Sequence, residues 1–366
     1  MYKRDEIGPE YVIEVYDQNT GMKGITVIDN TALGLGKGGI RFVPDITTEE
    51  VMGLARAMTW KNALAGLPFG GAKSGIMGDP KSPHKEAFVR AFAQKIKQYM
   101  PGLYIAGPDM NMTEVEMGQM AEELGNSKVT TGKPASMGGL PHELGSTGYG
   151  VALAAKVAIE HQGKPLEGMT VAIEGFGNVG TFTMKFLTEW GAKVVAVSDS
   201  KGTIYDEAGL DYEELFKTKQ EKRAVTAHGK GKVLDGKDLF ALPVDILVPG
   251  ARPDVITMEN VNDVKAKYVP EAANIPMTYE VEKVLMGRGV LIIPDFLANA
   301  GGVISSYCET EGWGEEKMFE VVTEKITHNT KLMMERLGED NDSRAAAMGI
   351  ARERVEEAMK KRGWKG

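Results

Sequence analysis

Residues 169–180 read MTVAIEGFGNVG, and a second apolar segment, KVVAVSD, ends at Asp199, nineteen residues after Gly180. The first run reads as a buried strand, and the segment reaching Trp190 as an amphipathic helix. The second run then closes a strand–turn–helix–strand unit. The turn fits GxGxxG at Gly175, Gly177 and Gly180. Each glycine has a separate reason. The first makes the tight turn, the second admits a pyrophosphate to the backbone, and the third lets helix and strand pack closely, with the helix N-terminus facing the anion. Gly175, Phe176, Gly177, Asn178, Val179 and Gly180 are therefore the expected dinucleotide turn. Asp199 suits a ribose 2′-hydroxyl and hence NAD. Ser200 and Lys201, which follow it, could hold a 2′-phosphate, so NAD or NADP is expected. A glycine-rich turn that binds nothing is the alternative, and the complete strand–helix–strand context weighs against it.

Downstream, VDILVPGA (244–251), KYVPEAAN (267–274) and GVLIIPD (289–295) are short apolar runs of the kind found in buried parallel strands. Residues 315–362 form two helical stretches rich in Glu, Lys, Arg and Ala. Upstream, a helix over about 147–161 follows GKPASMGGLPHELGSTGYG (132–150), the best boundary candidate. Before it, 11–17 and 24–30 alternate as strands, a helix covers about 84–100, and a short strand covers 103–107. In TTEEVMGLARAMTWKNALAG, Thr47 and Glu50 have capping-box spacing. Val51, Leu54, Ala55, Met58 and Asn62 then follow helical spacing, which puts Lys61 near the helix end. The expected architecture is α/β in two domains with a cleft between them. Residues 1–145 form a substrate-binding and oligomerisation domain, to which helices from about 326 to 366 return. Residues 146–325 form a Rossmann-like NAD(P)-binding domain.

Bulk properties exclude several classes. A net charge of −8 over 366 residues gives no basic face for nucleic acid, and an anionic substrate would need local cations. No apolar run approaches the roughly 18 residues of a membrane span. The polar start MYKRDEIGPE has no signal-peptide character, so a cytoplasmic location is expected. One cysteine, Cys308, excludes an intrachain disulfide framework and a cysteine-cluster metal site. Histidines 84, 142, 161, 228 and 328 are scattered without metal-ligand spacing, so no metal is expected.

Three lysines stand out in the first part of the chain: Lys37 in GLGKGGIRF, Lys61 in TWKNALAG and Lys73 in PFGGAKSG. The first and third read as lying in glycine-rich loops, where bare backbone approaches a ligand and strips water from an ammonium, which favours acid–base work. The plain alternatives are solvated surface lysines and, for Lys61, a cation complementing the helix dipole.

KGGIRFVPD, MTWKNALAGLPFGGAKSG, IAGPDMNMTEVEM, TGKP, GFGNVG, EAANIP and PDFLANAGGVISSYCE occur here in one order along nearly the whole chain. In these motifs and their spacing the sequence resembles the amino acid dehydrogenases of the glutamate/leucine/phenylalanine/valine group, and among them the glutamate-specific members. The resemblance implies NAD(P)-dependent oxidative deamination in one cleft. Lys73 would be the catalytic lysine that activates water, and Asp109 its acid/base partner, with a loop-capping role as the plainer reading of that aspartate. Lys61 would bind the α-carboxylate, Asn299 would lie beside nicotinamide and substrate, and Thr147 and Asn274 would belong to the cofactor side. The resemblance also implies a homo-oligomer, a hexamer.

In glutamate-specific members a lysine at the position of Lys37, helped by a serine at the position of Ser306, binds the side-chain carboxylate. Leucine and phenylalanine enzymes have an apolar residue in place of that lysine. A second buried carboxylate needs a cation, which favours L-glutamate and 2-oxoglutarate with ammonium over a branched-chain or aromatic substrate. A non-catalytic nucleotide-binding subunit is the remaining alternative, and it would need none of Lys37, Lys61, Lys73 and Asp109. Three departures from the family pattern stand out. Much of the helical N-terminal extension is expected to be missing, Ala272 and Ile275 stand where glycines are usual, and the customary arginine is absent from GGLPHELGSTGYG.

Overall fold

A computed structural model describes residues 4–141 and 144–364, which form two α/β units. The first unit holds the described residues up to Leu144, with Val303–Met318 and those from Met348 onward. Its five strands are β1 (Tyr11–Tyr16), β2 (Lys23–Asn30), β3 (Gly36–Val43), β4 (Gly70–Met77) and β5 (Tyr104–Pro108), in spatial order β1-β2-β4-β3-β5. The β1–β2 and β2–β4 pairs are antiparallel, while β3 pairs in parallel with β4 and β5. Helix α1 (Thr48–Leu64) covers one face, where its Val51 and Ala55 pack on Ile25 and Val27 of β2. Helices α2 (Lys85–Ile96) and α3 (Glu114–Glu123) cover the other, where Phe92 of α2 and Met117 and Met120 of α3 share a core with Ile28 and Phe42 of the sheet.

The sequence reading placed Lys37 and Lys73 in loops, and the structure places them inside β3 and β4. The glycines around them give close packing rather than bends. A Cβ at Gly71 would lie 2.1 Å from Thr59 Oγ1 and 2.4 Å from the Ala55 carbonyl, so α1 rests against bare strand backbone there. Helix α1 starts at Thr47, whose side chain accepts from Glu50 N, as its cap spacing implies. The Glu50 carboxylate does not complete the box, because Arg41 takes it at 2.9 Å. Helix α3, which the sequence reading passed over, does carry a full capping box, Thr113 with Glu116.

The second unit holds Gly145–Gly302 and Phe319–Ala347. Its strands are β6 (Thr170–Glu174), β7 (Lys193–Asp199), β8 (Gly202–Tyr205), β9 (Lys232–Leu234), β10 (Ile246–Pro249), β11 (Tyr268–Pro270) and β12 (Leu291–Ile293), in spatial order β12-β11-β10-β6-β7-β8-β9. Strands β6, β7, β10, β11 and β12 are parallel, as the apolar runs imply, and β8 and β9 add an antiparallel edge that the sequence reading missed. Helices α4 (Ser146–His161), α5 (Asn178–Glu189), α6 (Tyr212–Lys222), α7 (Tyr279–Gly287) and the single turn α8 (Asp295–Ala298) complete the unit. The chain leaves β6 toward β7 and later crosses to β10 on the other side of β6. The sheet therefore has a topological switch point at the carboxyl ends of β6 and β10.

The C-terminal helices α9 (Gly301–Thr310), α10 (Glu315–Glu335) and α11 (Ser343–Lys361) are shared between the units rather than returning as one block from 326. In α10, Phe319 and Thr323 meet Tyr149, whose ring sits edge-on at 5.2 Å and whose hydroxyl lies 2.7 Å from Thr323 Oγ1, so this part packs with the second unit. The end of α11 packs with the first unit, where Arg354 donates to the Ala63 and Leu64 carbonyls. Among the described residues no helix is long and apolar enough to cross a membrane, and no cluster of His, Cys, Asp or Glu is placed to hold a metal. His142 lies outside the described residues.

Candidate active site

Lys37 is the most unusual charge in the first unit. It is 3% exposed, and its Nζ donates to the Ala106 carbonyl at 3.2 Å and to Thr131 Oγ1 at 2.7 Å. Gly107 makes room for it, since a Cβ there would lie 3.1 Å from that nitrogen. No carboxylate pairs with Lys37 among the described residues. Burial pushes its pKa down to about 7; Glu309 acts against that shift, while Lys133 and Lys73 add to it. The protein therefore keeps this lysine in a dry, cation-rich setting with two neutral acceptors, where a bound anion would favour its charged form.

Lys73 is buried and its Nζ pairs with Asp109 Oδ2. The same oxygen accepts from Arg41 Nε at 3.0 Å. Asp109 follows directly after β5 and Arg41 belongs to β3, so neighbouring parallel strands bring the three charges together. Burial raises the Asp109 pKa, but Lys73 and Arg41 outweigh it and hold the carboxyl below the ordinary range. Asp109 is thus an ionised proton acceptor beside an ammonium, and its partners give it more than a loop-capping role. Lys61 is half-buried in the last turn of α1, as its spacing implies. Next to it, buried Asn62 donates to the Gly70 carbonyl at 2.7 Å and ties the helix end to the start of β4.

Sequence reasoning missed a buried ion pair, Lys133–Glu309. The Glu309 carboxylate also accepts from Gly132 N at 2.8 Å and Leu140 N at 3.0 Å, so it pins the loop whose Thr131 holds Lys37. The motif TGKP displays Lys133, but its partner lies 176 positions away, and no local signal joins them. Ser306 is half-buried on α9, one turn before Glu309, and its carbonyl accepts from Thr310 Oγ1 at 3.0 Å.

In the second unit the glycine turn has the geometry that its spacing implies. Gly175 has φ +92°, a conformation costly for any side chain. A Cβ at Gly177 would meet nothing within 4 Å, which leaves open space in front of the turn. A Cβ at Gly180 would lie 1.9 Å from the Gly175 carbonyl, so the first turn of α5 presses on the loop. No side chain caps the N-terminus of α5. Phe176 is buried, Val179 is half-buried, and Gly177 and Asn178 are exposed. Glu174, at the end of β6, accepts from Gly250 N at 2.9 Å and Ala251 N at 2.6 Å, which fixes the adjacent loop at the switch point. Uncapped helix amides, open space and a glycine-lined turn fit a dinucleotide pyrophosphate.

Asp199 ends β7, and its oxygens are already occupied. Oδ2 takes Lys219 Nζ at 2.6 Å and Val225 N at 2.9 Å, and Oδ1 takes Lys201 N at 2.8 Å. Burial raises its pKa, but these donors outweigh it and lower the pKa overall. Ser200 is exposed beside it. Thr147 lies in the first turn of α4 against Gly302, where a Cβ would be 2.9 Å from its hydroxyl. Asn299 donates to Asn274 Oδ1 at 2.9 Å and to the Ala272 carbonyl at 3.2 Å, which brings the residue expected beside nicotinamide and substrate against one expected on the cofactor side.

Known proteins resemble this chain along most of its length. The family model described as Glu/Leu/Phe/Val dehydrogenase, dimerisation domain, matches residues 9–126, and that of Glutamate/Leucine/Phenylalanine/Valine dehydrogenase matches 138–363. A glutamate dehydrogenase from Aeropyrum pernix is 44% identical over 92% of this chain and 85% of its own length. The NADP-specific glutamate dehydrogenase of Saccharolobus shibatae is 37% identical over 97% of this chain and 90% of its own. Among solved structures, the glutamate dehydrogenase of Peptoniphilus asaccharolyticus superposes with a TM-score of 0.85 at 32% identity, covering 98% of this chain and 92% of that one. The chain belongs to the glutamate/leucine/phenylalanine/valine dehydrogenase family.

Proposed function

We propose that the protein catalyses the reversible NAD(P)-dependent oxidative deamination L-glutamate + NAD(P)⁺ + water to 2-oxoglutarate + ammonium + NAD(P)H, with release of a proton. The observation that carries the substrate assignment is Lys37, a buried ammonium without a carboxylate partner among the described residues. A side-chain carboxylate supplies the missing anion and draws Lys37 into its charged form, whereas an apolar side chain gains nothing from this lysine. Ser306 adds a hydroxyl to that carboxylate, and Lys61 takes the α-carboxylate. These roles follow the family resemblance.

The bound cofactor supplies the hydride acceptor for the substrate α-carbon. The other steps belong to the chain. Ionised Asp109 accepts a proton from the substrate amino group. Lys73, paired with Asp109, activates the water that adds to the resulting imine carbon and stabilises charge on the intermediates. Asp109 then returns a proton to the departing ammonia. The Gly175–Gly180 turn and the start of α5 hold the pyrophosphate, with Thr147, Asn274 and Asn299 on the cofactor side. Relatives in the family are named for NAD or for NADP. Asp199 with Lys219 and Ser200 supports use of either, because the carboxylate that would repel a 2′-phosphate carries its own cation. The dimerisation-domain description of residues 9–126 supports assembly with copies of the same chain. Following reduced-cofactor absorbance with NAD and NADP against glutamate, leucine, valine and phenylalanine tests the reading. Glutamate is the expected substrate, and preferential turnover of any other amino acid rejects it.

A further inference from the structure

Arg344, in the first turn of α11, lies in the second unit among three acids from separate parts of the chain. Its Nε meets both oxygens of Glu282 at 2.8 and 2.7 Å, and its Nη2 reaches Glu271 Oε2 at 2.7 Å and Asp295 Oδ1 at 3.0 Å. The guanidinium carbon is 5.4 Å from the Phe296 ring centroid. Glu271 and Glu282 are fully buried, and Asp295 is nearly so. Burial, then the charge of Glu282, raises Glu271 well above the ordinary carboxylate range, which eases the crowding of acids around one cation.

Two of these acids grip the loop that follows β11. Glu271 is its first residue, and Glu271 Oε2 also accepts from Asp295 N at 2.8 Å. Asp295 Oδ2 accepts from Ile275 N at 3.0 Å. Ile275 has φ +50°, a left-handed conformation that costs a β-branched residue about 1–2 kcal/mol and persists only where neighbours impose it. The sequence reading noted Ile275 as standing where a glycine is usual, and the dihedral shows why a glycine would suit. Between Glu271 and Ile275 lie Ala272, whose carbonyl takes Asn299, and Asn274, whose side chain takes the same amide. The guanidinium thus runs through Asp295 to the strained turn, and through the loop to both asparagines.

We infer that Arg344 is a positioning residue for the nicotinamide end of the cofactor, acting through Asp295 and Glu271 to hold the Ala272–Ile275 turn. The inference rests on the reading above that Asn274 and Asn299 lie on the cofactor side. A cation elsewhere in a buried cluster would serve folding alone. This one ends, through one carboxylate, on the amide of the loop's strained residue.

The test compares Arg344→Lys and Asp295→Asn with the parent, using variants whose circular dichroism spectra match it. Binding is measured for the preferred oxidised cofactor and for its ADP-ribose fragment, which lacks nicotinamide. The expected result is a loss of about tenfold or more for the whole cofactor with fragment affinity kept within about twofold, and a fall in kcat of about a hundredfold at little change in glutamate KM. If Arg344→Lys does not fold, Asp295→Asn decides by the same criterion. An unchanged ratio of whole-cofactor to fragment affinity in the folded variants, or equal loss of both ligands, overturns the inference. Asn299→Ala separates the two layers. If it leaves that ratio unchanged, the cofactor-side reading itself fails. If it moves the ratio while Asp295→Asn does not, only the positioning role of Arg344 is rejected.

Discussion

Binding of a dicarboxylate should draw a proton onto the protein at Lys37. Taking this lysine from its ordinary 10.5 down to about 7, at about 1.4 kcal/mol per pH unit, disfavours the charged form by roughly 5 kcal/mol. At pH 8 a group of pKa about 7 is only about one-tenth charged, so a ligand that needs the ammonium must bring up about 0.9 proton. Glutarate suits the measurement, since it carries both carboxylates and cannot react. Calorimetric titration in two buffers of different ionisation enthalpy gives the proton count. The count should fall toward zero near pH 6 and be absent in Lys37→Met. Affinity should weaken by about tenfold for each pH unit above 7. The same shift sets the sign for stability. Between about pH 7 and 10.5 the unfolded chain binds more protons at this residue than the folded one, so its contribution rises with pH through that window. Lys37→Met should therefore stabilise the ligand-free protein at and below pH 7. The gain is roughly 2 kcal/mol after the loss of two hydrogen bonds to a charged group, and at about 1.4 kcal/mol per pH unit it vanishes by about pH 8.5 and reverses above it. Equal proton uptake by parent and variant at pH 8 would refute the reasoning.

Lys73→Ala and Asp109→Asn should each reduce turnover by about a thousandfold or more while cofactor affinity, measured by fluorescence titration, persists. Either variant at near-parental rate removes that residue from the chemistry. Gly71→Ala in β4 puts a Cβ 2.1 Å from Thr59 Oγ1 of α1 and should cost about 3 kcal/mol in denaturant titration, whereas Gly53→Ala in open space on α1 should stabilise by about 1 kcal/mol. Similar behaviour of the two would contradict the close packing of α1 on β4. Lys219→Ala uncovers the charge of Asp199 and should raise the KM for NADP by about tenfold with that for NAD nearly unchanged; equal effects on both would detach Lys219 from cofactor choice.

The glycine turn and the parallel strands of the second unit were legible because their signals are local, whereas the short edge strands β8 and β9 were not. GFGNVG, the apolar runs of β6, β7, β10, β11 and β12, and Asp199 at a strand end each carry their reason within a few residues. Strands β3 and β4 were not legible, because neither shows the usual alternation. Gly36, Gly38 and Gly39, and Gly70, Gly71 and Gly75, look like turn residues until a helix lies on them. Lys37 and Lys73 stood out by their glycine-rich settings, whereas their roles, and Asp109 altogether, came from the resemblance. Their actual setting is a strand interior, with Arg41 as an extra cation on Asp109. Lys133–Glu309 and Arg344 with its acids escaped notice because each joins residues far apart in sequence, and pairing at that range leaves no periodicity to read. The α3 capping box was a local signal and was overlooked.

The central claim is that Lys37 selects a substrate with a second carboxylate. It is tested most directly by the ratio of kcat/KM for glutamate to that for leucine, in the parent and in Lys37→Leu. A charge-assisted hydrogen bond from Lys37 to the side-chain carboxylate, about 3 kcal/mol, corresponds to about a hundredfold preference for glutamate in the parent. The ratio should collapse toward or below one in the variant. A parent that prefers leucine, or a variant that keeps the parental ratio, would contradict the claim.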